Sequence, residues 1–356
     1  MLHVIIMAGG VGARFWPRSR RSAPKQLLDF FGEGTLIEDT VRRARRLTSL
    51  ECIWIVTNPS LKEAIQRVLP DFADDRFILE PQGKNTAPAI GLSAIYLAQR
   101  DPDATMVVLP ADHRIPDLEA FEEAIHAAAK VVSAREMLTT VGIHPTRPET
   151  GYGYIQIDTT VPPIALNVFR VKTFAEKPNS STAQLFLESG DFLWNSGMFI
   201  WRVPTILDQI AEFLPDLHSG LMEIAASWTK PKSSDVLQRV YRSLKAISID
   251  YGVMEKARNV CVVRGDFGWS DVGSWEEVWR LSPKDEQGNA MRGNHLAIHS
   301  ENNLVDARDK FYALLGVRDL IVVETEDAVL ICPREKSQEV REIVEELERR
   351  HNANHT

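Results

Sequence analysis

Over the first 143 residues, short apolar runs alternate strictly with amphipathic stretches, and this alternation constrains the fold more than any other feature of the chain. The apolar runs have the length of buried strands, and the stretches between them repeat apolar residues with the period of a helix. Strict alternation predicts crossover units and a mostly parallel sheet covered on both faces. The predicted strands are 3–8, 52–57, 76–79, 105–109 and 138–143, and the predicted helices are 36–46, 60–69, 86–99 and 118–133.

The first predicted strand ends in a glycine-rich turn at residues 9–12, and Arg14 and Lys25 follow it. Such a turn presents several backbone N–H groups at one place, which suits a phosphate chain, and the two cations add the charge that a triphosphate needs. The spacing fits neither common phosphate fingerprint, because the third glycine of GxGxxG and the Gly-Lys-Ser/Thr of the Walker pattern are absent. On the residues alone, a plain strand-to-helix turn is the alternative.

The formal net charge of −8 argues against nucleic acid as the main partner. The N-terminal segment is nevertheless locally basic, and we interpret it as the mouth of a site for an anionic substrate. A solvated basic stretch is the alternative interpretation. The basic residues of this segment are Arg14, Arg18, Arg20, Arg21 and Lys25.

The three cysteines are far apart and form no CxxC pair, which is typical of reduced residues in a cytosolic protein. The N-terminus lacks the charged leader and apolar core of a signal peptide, and no run of 18 apolar residues occurs. We therefore predict a cytoplasmic protein with no membrane partner.

A polar, turn-rich stretch at residues 282–289 is the predicted linker between two domains, 1–285 and 290–356. Beyond it lie short strand-like runs at 296–299, 311–317, 320–324 and 328–332, then a closing helix with one apolar face. We predict an α/β fold with a Rossmann-like, mostly parallel or mixed sheet flanked by helices. A small β-rich C-terminal domain that ends in a helix should follow.

Seven blocks of the chain together resemble the sugar-phosphate nucleotidyltransferases and, more narrowly, the mannose-1-phosphate guanylyltransferase family. The blocks are GGVGAR (9–14) with Pro24-Lys25, EPQGKNTAP (80–88), LPADH (109–113), GYGYI (151–155), EKP (176–178), WNSGMF (194–199) and FGWSDVGSW (267–275). They occur in the family's order, so their combination is far more specific than any single block. Arg18 stands where the family often has leucine, which adds to the basicity of the mouth.

The resemblance implies a nucleotide-diphospho-sugar transferase fold and a magnesium-dependent reaction of GTP with α-D-mannose 1-phosphate. The sugar-phosphate oxygen would attack the α-phosphorus in line, giving GDP-mannose and pyrophosphate, which requires positioning and charge neutralisation rather than a covalent nucleophile. The backbone at Gly9, Gly10 and Gly12 would hold the triphosphate, and Arg14 and Lys25 would neutralise it. The C-terminal domain resembles the family's short β-helix-like extension and is expected to support a homodimer.

The resemblance also implies that Asp112 and Asp271 bind the metal, since a hard Mg²⁺ prefers carboxylate and phosphate oxygens. The sequence alone does not show that the two aspartates converge, and each would otherwise be interpreted as a turn or cap residue. His113 is predicted to be structural, because magnesium disfavours imidazole.

Glu80 is the residue predicted to recognise guanine, because one carboxylate can accept hydrogen bonds from both N1–H and the N2 amine of this base. The alternative is an exposed glutamate at a strand end. Asn85, Thr86 and Ala87 would begin the next helix and pack on the base.

The predicted sugar contacts come from three later blocks. Glu176 and Asn195 can bond hydroxyl groups, and Lys177 can meet the sugar phosphate. The turn Gly151-Tyr152-Gly153 permits close approach of the backbone to the sugar.

Three other functions are weighed against this interpretation. The chain could transfer another nucleotide, or use another hexose or heptose 1-phosphate, and it could be a non-catalytic regulator that binds nucleotide sugars. A dinucleotide oxidoreductase is disfavoured by the missing third glycine. Longer relatives carry a cupin-type isomerase domain for which no length remains here, so we expect no isomerase activity.

Overall fold

The computed structural model describes residues 1–10 and 12–350, with 308 and 309 described by their backbone. Val11 of the glycine-rich turn and residues 351–356 of the predicted C-terminal domain lie outside the described residues.

A nine-stranded sheet forms the larger part of the molecule, with the strand order β3-β2-β1-β4-β8-β5-β9-β7-β6. The strands are β1 (Leu2–Met7), β2 (Ile53–Thr57), β3 (Phe77–Leu79), β4 (Thr105–Pro110), β5 (Leu138–Ile143), β6 (Tyr154–Ile157), β7 (Val168–Ala175), β8 (Phe192–Arg202) and β9 (Val260–Gly265).

The sheet is mixed, and the expectation of a mostly parallel sheet holds only for its first part. Strands β1, β2, β3 and β4 are mutually parallel, as the alternation predicts. The long strand β8 then lies antiparallel between β4 and β5, and β7 pairs antiparallel with β9 and β6. The alternating pattern ends at residue 143, and β8 is inserted between β4 and β5 from much later in the chain, so no local pattern specifies its direction.

Nine helices surround this sheet in the described part of the chain. They are α1 (Leu36–Leu47), α2 (Pro59–Val68), α3 (Thr86–Ala98), α4 (Leu118–Ala134), α5 (Ser180–Ser189), α6 (Val203–Phe213), α7 (Pro215–Ser227), α8 (Ser233–Ser243) and α9 (Trp275–Leu281). Side-chain oxygens stabilise several of their N-termini, because the first-turn N–H groups have no partner within the helix. Asp117 accepts from Ala120 N at the start of α4, as predicted, and Thr35 and Glu38 form a capping box on α1.

The C-terminal part is a second, four-stranded sheet closed by a helix, as predicted. Its elements are β10 (Ala290–Ile298), β11 (Leu304–Leu315), β12 (Leu320–Glu324), β13 (Val329–Pro333) and α10 (Val340–Arg349). Strands β10, β11 and β12 run parallel and β13 is antiparallel.

The two domains, one around each sheet, share a hydrophobic core. A single cluster of buried apolar side chains joins the segment after the glycine-rich turn, α9 and the C-terminal domain. Phe15 and Trp275 are its centre, with ring centroids 5.3 Å apart, and Val340 of α10 is buried in it. The small domain therefore packs directly behind the turn.

Three ion pairs join the basic N-terminal segment to the C-terminal domain. They are Arg18–Asp306 (2.7 Å), Arg20–Asp327 (2.9 Å) and Arg21–Glu348 (2.7 Å). The interpretation of the whole segment as a substrate mouth is therefore wrong for these three arginines, because their charges are matched by carboxylates of the second domain. Arg14 and Lys25 remain as the candidates for an anionic substrate.

Within residues 1–10 and 12–350, no helix combines the length and the apolar character needed to cross a membrane.

We predict that Asp306→Ala lowers the free energy of unfolding by roughly 3–5 kcal/mol, because it leaves the Arg18 guanidinium buried without a partner. Both side chains of this pair are less than 10% exposed (6% and 8%). Glu348→Ala is the matched control, since it removes an exposed ion pair worth at most about 1 kcal/mol. Urea unfolding followed by tryptophan fluorescence measures both, and equal losses would contradict the structural role of Arg18.

Candidate active site

The glycine-rich turn follows β1 and brings the backbone against Lys25. Gly12 has a φ of +75°, and a Cβ there would lie 2.4 Å from Lys25 Cβ, so only glycine fits. A Cβ at Gly9 or Gly10 would meet no atom of the described residues within 4 Å, apart from the adjacent residues of the chain. Packing within the protein does not require glycine at these two positions, whereas close approach of a ligand would.

A short antiparallel bridge brings together the two aspartates that the sequence could not connect. Arg114 and Ser270 exchange backbone hydrogen bonds of 2.9 and 3.0 Å. Asp112 precedes Arg114 by two residues at the end of β4, and Asp271 follows Ser270 directly. The bridge therefore places both carboxyl groups at the carboxyl end of the central strands, where open α/β sheets bind ligands.

Lys25 lies between the two aspartates. Its Nζ donates to Asp112 Oδ2 at 2.7 Å and to the backbone oxygen of Asp271 at 2.5 Å. Burial raises the pKa of Asp112, but the attraction of the Lys25 ammonium, the neighbouring His113 and the hydrogen bonds to the carboxylate together hold that pKa below its usual value. Burial raises the pKa of Asp271, and the nearby Asp112 carboxylate adds to this effect.

Tyr152 and His113 complete the surroundings of the aspartates. The Tyr152 hydroxyl donates to Asp271 Oδ1 at 2.6 Å, so the structure places Tyr152 beside the predicted metal ligand. Trp269 Nε1 donates to His113 Nδ1 at 3.1 Å, and burial lowers the pKa of His113 to about 3. His113 is thus a neutral, buried acceptor, as its structural interpretation predicted.

A cavity of about 390 Å³ connects the glycine-rich turn with Glu80 and Asp112. Glu80 is buried, and its Oε1 has no hydrogen-bond partner in the described part of the chain. Burial raises the pKa of Glu80 to about 7, which the hydrogen bond with Tyr241 partly offsets. An unpartnered buried carboxyl oxygen beside this cavity suits a ligand that donates hydrogen bonds.

The start of α3 contributes two of the three residues predicted to pack on the base. Asn85 accepts from Thr86 N at 2.8 Å and so caps the helix, and both residues line the cavity. Ala87 is fully buried, donates its N–H to the oxygen of Ile247 and is absent from the cavity wall. Ala87 therefore supports the helix start from behind and is not a nucleotide contact in this geometry.

The predicted sugar contacts form a separate cluster. A Cβ on Gly153 would lie 2.4 Å from Glu176 Oε2, so the absence of a side chain at this glycine lets Glu176 approach the turn. Asn195 accepts from Thr140 Oγ1 at 3.0 Å and from Gly197 N at 3.2 Å. Its oxygen is fully used, so the Asn195 amide can offer a substrate only a donor.

Asp250 belongs to this cluster, and sequence reasoning missed it. Its Oδ1 accepts from Asn195 Nδ2 at 2.9 Å, and burial together with the nearby Glu176 raises its pKa to about 6. Asp250 opens a single π-helical turn, Asp250–Met254, a feature that often marks functional sites. An aspartate between Ile249 and the apolar stretch after it was the sequence feature that could have identified it.

Two other predicted sugar contacts are engaged within the protein. The Lys177 ammonium lies 3.1 Å from Glu176 Oε1, so it is not free to meet a phosphate in this geometry. Gly151 N donates to Glu149 Oε1 at 3.1 Å. Gly151 and Tyr152 nevertheless line a large cavity of about 1030 Å³ between the two domains.

Three cavities follow one another across the site. The 390 Å³ cavity shares Asp112 with a second of about 360 Å³, which also contains Arg14 and Lys25. The second shares Asp271 with the 1030 Å³ cavity. Lys25 and the two aspartates therefore lie where these three neighbouring cavities meet.

The donor set at this centre fits a magnesium ion. Each aspartate has one carboxylate oxygen engaged, by Lys25 or by Tyr152, which leaves the other oxygen available. No group of three or more candidate ligands occurs in residues 1–10 and 12–350. Two carboxylates without further protein ligands suit Mg²⁺, which usually binds through one or two carboxylates and substrate phosphates.

Comparison with known proteins identifies the family of this chain. The family model described as nucleotidyl transferase matches residues 3–288, and the mannose-phosphate isomerase/GMP-like β-helix domain matches residues 293–347. Mannose-1-phosphate guanylyltransferase of Klebsiella pneumoniae is 40% identical over 98% of this chain and 74% of its own length. The alginate biosynthesis protein AlgA of Pseudomonas aeruginosa is 36% identical over 97% of this chain and 72% of its own length.

A solved structure covers nearly the whole fold. The crystal structure of a Thermus thermophilus protein described as mannose-1-phosphate geranyltransferase superposes with a TM-score of 0.87 at 36% identity, over 98% of this chain and 99% of that one. The chain therefore belongs to the nucleotidyl transferase family and, within it, to the mannose-1-phosphate guanylyltransferases.

Proposed function

We propose that this chain transfers the guanylyl group of GTP to α-D-mannose 1-phosphate and releases pyrophosphate. The observation that carries the proposal is the meeting of three neighbouring cavities at Lys25, Asp112 and Asp271, with a buried Glu80 oxygen in one of them that has no hydrogen-bond partner among the described residues. Membership of the guanylyltransferase family supports the same reaction.

The residues at the centre neutralise charge as the α-phosphorus is attacked. Backbone N–H groups at Gly9, Gly10 and Gly12 would hold the phosphates, and Lys25 would stabilise the negative charge that develops when pyrophosphate leaves. Asp112 and Asp271 would hold Mg²⁺, which supplies further neutralisation of the phosphate oxygens when bound.

The sugar would bind beside Tyr152, at the cluster formed by Glu176, Asn195 and Asp250. The Asn195 amide would donate to one sugar hydroxyl, while the two carboxylates accept from others. Lys177 would have to leave Glu176 before it could reach the sugar phosphate.

A pyrophosphate-release assay with four nucleoside triphosphates and several sugar 1-phosphates tests the function. GTP with mannose 1-phosphate should give the highest kcat/KM. A different preferred pair would favour transfer to another sugar or from another nucleotide. Absence of turnover with every pair would favour the non-catalytic regulator.

We also propose a cytoplasmic protein that forms a homodimer and does not bind nucleic acid. The three free cysteines and the net charge of −8 support the compartment and the absence of nucleic acid. Exposed apolar residues on the C-terminal strands support the dimer; they are Leu296, Ile298, Phe311, Leu315, Val329 and Ile331. We place the domain boundary at 285–290, with the nucleotidyltransferase chemistry in residues 1–285 and the β-helix-like domain in 290–356.

We predict that Lys25→Ala lowers kcat about a hundredfold, roughly 3 kcal/mol of barrier, because the leaving pyrophosphate loses a positioned cation. Lys62→Ala is the matched control, since Lys62 pairs with Asp74 and lines none of the three cavities at the site. Steady-state kinetics with a melting curve of each variant measures the effect. Unchanged kcat in a folded Lys25→Ala variant would remove this residue from the mechanism.

Asp112→Asn and Asp271→Asn should each raise the Mg²⁺ concentration required for half-maximal activity, because each removes a charged ligand. The double variant should show less than the summed effect, since both carboxylates serve one ion. Asp117→Asn makes the same chemical change at a helix cap away from the cleft and should leave the metal requirement as it is. The assignment fails if neither single variant alters the Mg²⁺ titration.

Glu80→Gln should lower kcat/KM for GTP by one to two orders of magnitude, about 1.4–2.8 kcal/mol, because an acceptor oxygen becomes a donor. ITP lacks the exocyclic amine, so the wild-type protein should prefer GTP and the variant should show a narrower GTP/ITP ratio. Glu63→Gln, on the outer helix α2, is the control. Equal ratios in wild type and Glu80→Gln would show that base recognition lies elsewhere.

The same ratio should depend on pH. The pKa of Glu80 is raised to about 7, so its carboxyl is mostly neutral at pH 6 and mostly ionised at pH 8. Only the ionised form accepts from both guanine donors, so the GTP/ITP ratio should rise from pH 6 to pH 8 in the wild type and stay flat in Glu80→Gln.

A further inference from the structure

The closing helix α10 is held against the segment that follows the glycine-rich turn. Val340 is buried in the core shared by the two domains, and Ile343, Val344 and Leu347 pack against the same core. Phe15, in the turn segment itself, belongs to this core. The first turn of α10 is therefore fixed close to the phosphate-binding region.

Arg341 is the residue after Val340, and its side chain is exposed toward the cleft. It lines the 360 Å³ cavity together with Gly12, Arg14 and Lys25. It also lines the 1030 Å³ cavity that begins at Asp271. The C-terminal domain thus contributes a cation to the wall of a cleft whose other charged groups come from the nucleotidyltransferase domain.

Most cations around the cleft already have acidic partners. Lys25 pairs with Asp112, and the cavity arginines Arg147, Arg280 and Arg334 pair with carboxylates at 2.9–3.2 Å. Among residues 1–10 and 12–350, the structure gives neither Arg14 nor Arg341 an ion pair or side-chain hydrogen bond.

A bound triphosphate brings several negative charges to a site that already contains two carboxylates. An arginine with a carboxylate partner would have to give it up to bind phosphate, whereas an unpartnered guanidinium binds phosphate oxygens without that cost. Arg14 and Arg341 approach the 360 Å³ cavity from different domains, so they could hold a phosphate group between them.

We infer that Arg341 binds the pyrophosphate portion of the nucleotide, which makes the C-terminal domain part of the active site. The inference rests on the proposed function and adds a residue that neither the sequence motifs nor the family blocks include. The pyrophosphate portion is favoured over the sugar phosphate because Arg341 shares the smaller cavity with Gly12 and Arg14. Glu176 and Asn195 of the sugar cluster do not line that cavity.

The test compares Arg341→Ala with Arg349→Ala in both reaction directions. Arg349 lies on the same helix, is exposed and pairs with Glu346 within that helix, so it controls for loss of a charge from α10. Arg341→Ala should raise KM for GTP in the forward direction and KM for pyrophosphate in the reverse direction, each about tenfold. KM for mannose 1-phosphate and for GDP-mannose should stay within about twofold, and Arg349→Ala should resemble the wild type.

Arg341→Lys separates charge from geometry. This variant keeps the positive charge but loses the two parallel N–H donors of the guanidinium, so its KM for pyrophosphate should lie between those of the wild type and Arg341→Ala. The difference in KM for pyrophosphate between Arg341→Ala and the wild type should also decrease as salt is added, because the contact between Arg341 and pyrophosphate is exposed to solvent. An unchanged KM for pyrophosphate in Arg341→Ala, or a change confined to the KM for mannose 1-phosphate, would overturn the inference.

A binding measurement distinguishes failure of the inference from failure of the proposed function. Inorganic pyrophosphate with Mg²⁺ should raise the melting temperature of the wild-type protein and of Arg349→Ala, and raise that of Arg341→Ala less. If the wild type releases no pyrophosphate with any substrate pair, the proposed function fails, and this melting shift alone decides the role of Arg341. Equal shifts in all three proteins would overturn it.

Discussion

The Lys25 ammonium is the contact on which the site depends. It joins three segments that are remote in sequence: the turn after Pro24, the end of β4 at Asp112, and the loop that carries Asp271. The same residue explains why Gly12 must be glycine, since Lys25 Cβ lies 2.4 Å from the position that a side chain would need. Without this cation, two carboxylates would face each other in a largely buried place, at considerable electrostatic cost.

The second constraint is the core shared by the two domains. A small sheet of four strands could bury little apolar surface alone, and here its helix and strands pack on Phe15 and Trp275 of the larger domain. The buried Arg18–Asp306 ion pair joins the two domains next to this apolar contact and so helps to fix how they are oriented. The glycine-rich turn is consequently supported by residues that come almost 300 positions later in the chain.

Local periodicity predicted the first five strands and four helices to within one residue at each end, because each is specified by its own apolar pattern. Local periodicity did not predict the antiparallel placement of β8, which depends on pairing between strands that are distant in sequence. The strand predicted at 296–299 was also shorter than the observed β10, because the middle of β10 carries the polar Arg292 and a bulge at Gly293. The site shows the same division. Motifs located Glu80 and the two aspartates, but the aspartates are brought together by the Arg114–Ser270 bridge, which no motif predicted. Asp250 and Arg341 lie in no motif.

The order in which the chain is synthesised has a consequence for the turn segment. Strand β1 can pair with β2 and β4 once about 110 residues are made. Phe15 and Arg18 can contact Phe30 just as early, but Trp275 and Asp306, their partners in α9 and in the C-terminal domain, come much later. A nascent chain therefore carries this segment without part of its native packing until the C-terminal domain has been made. The glycine-rich turn and Lys25 therefore gain their full structural support only after the C-terminal domain has folded against them.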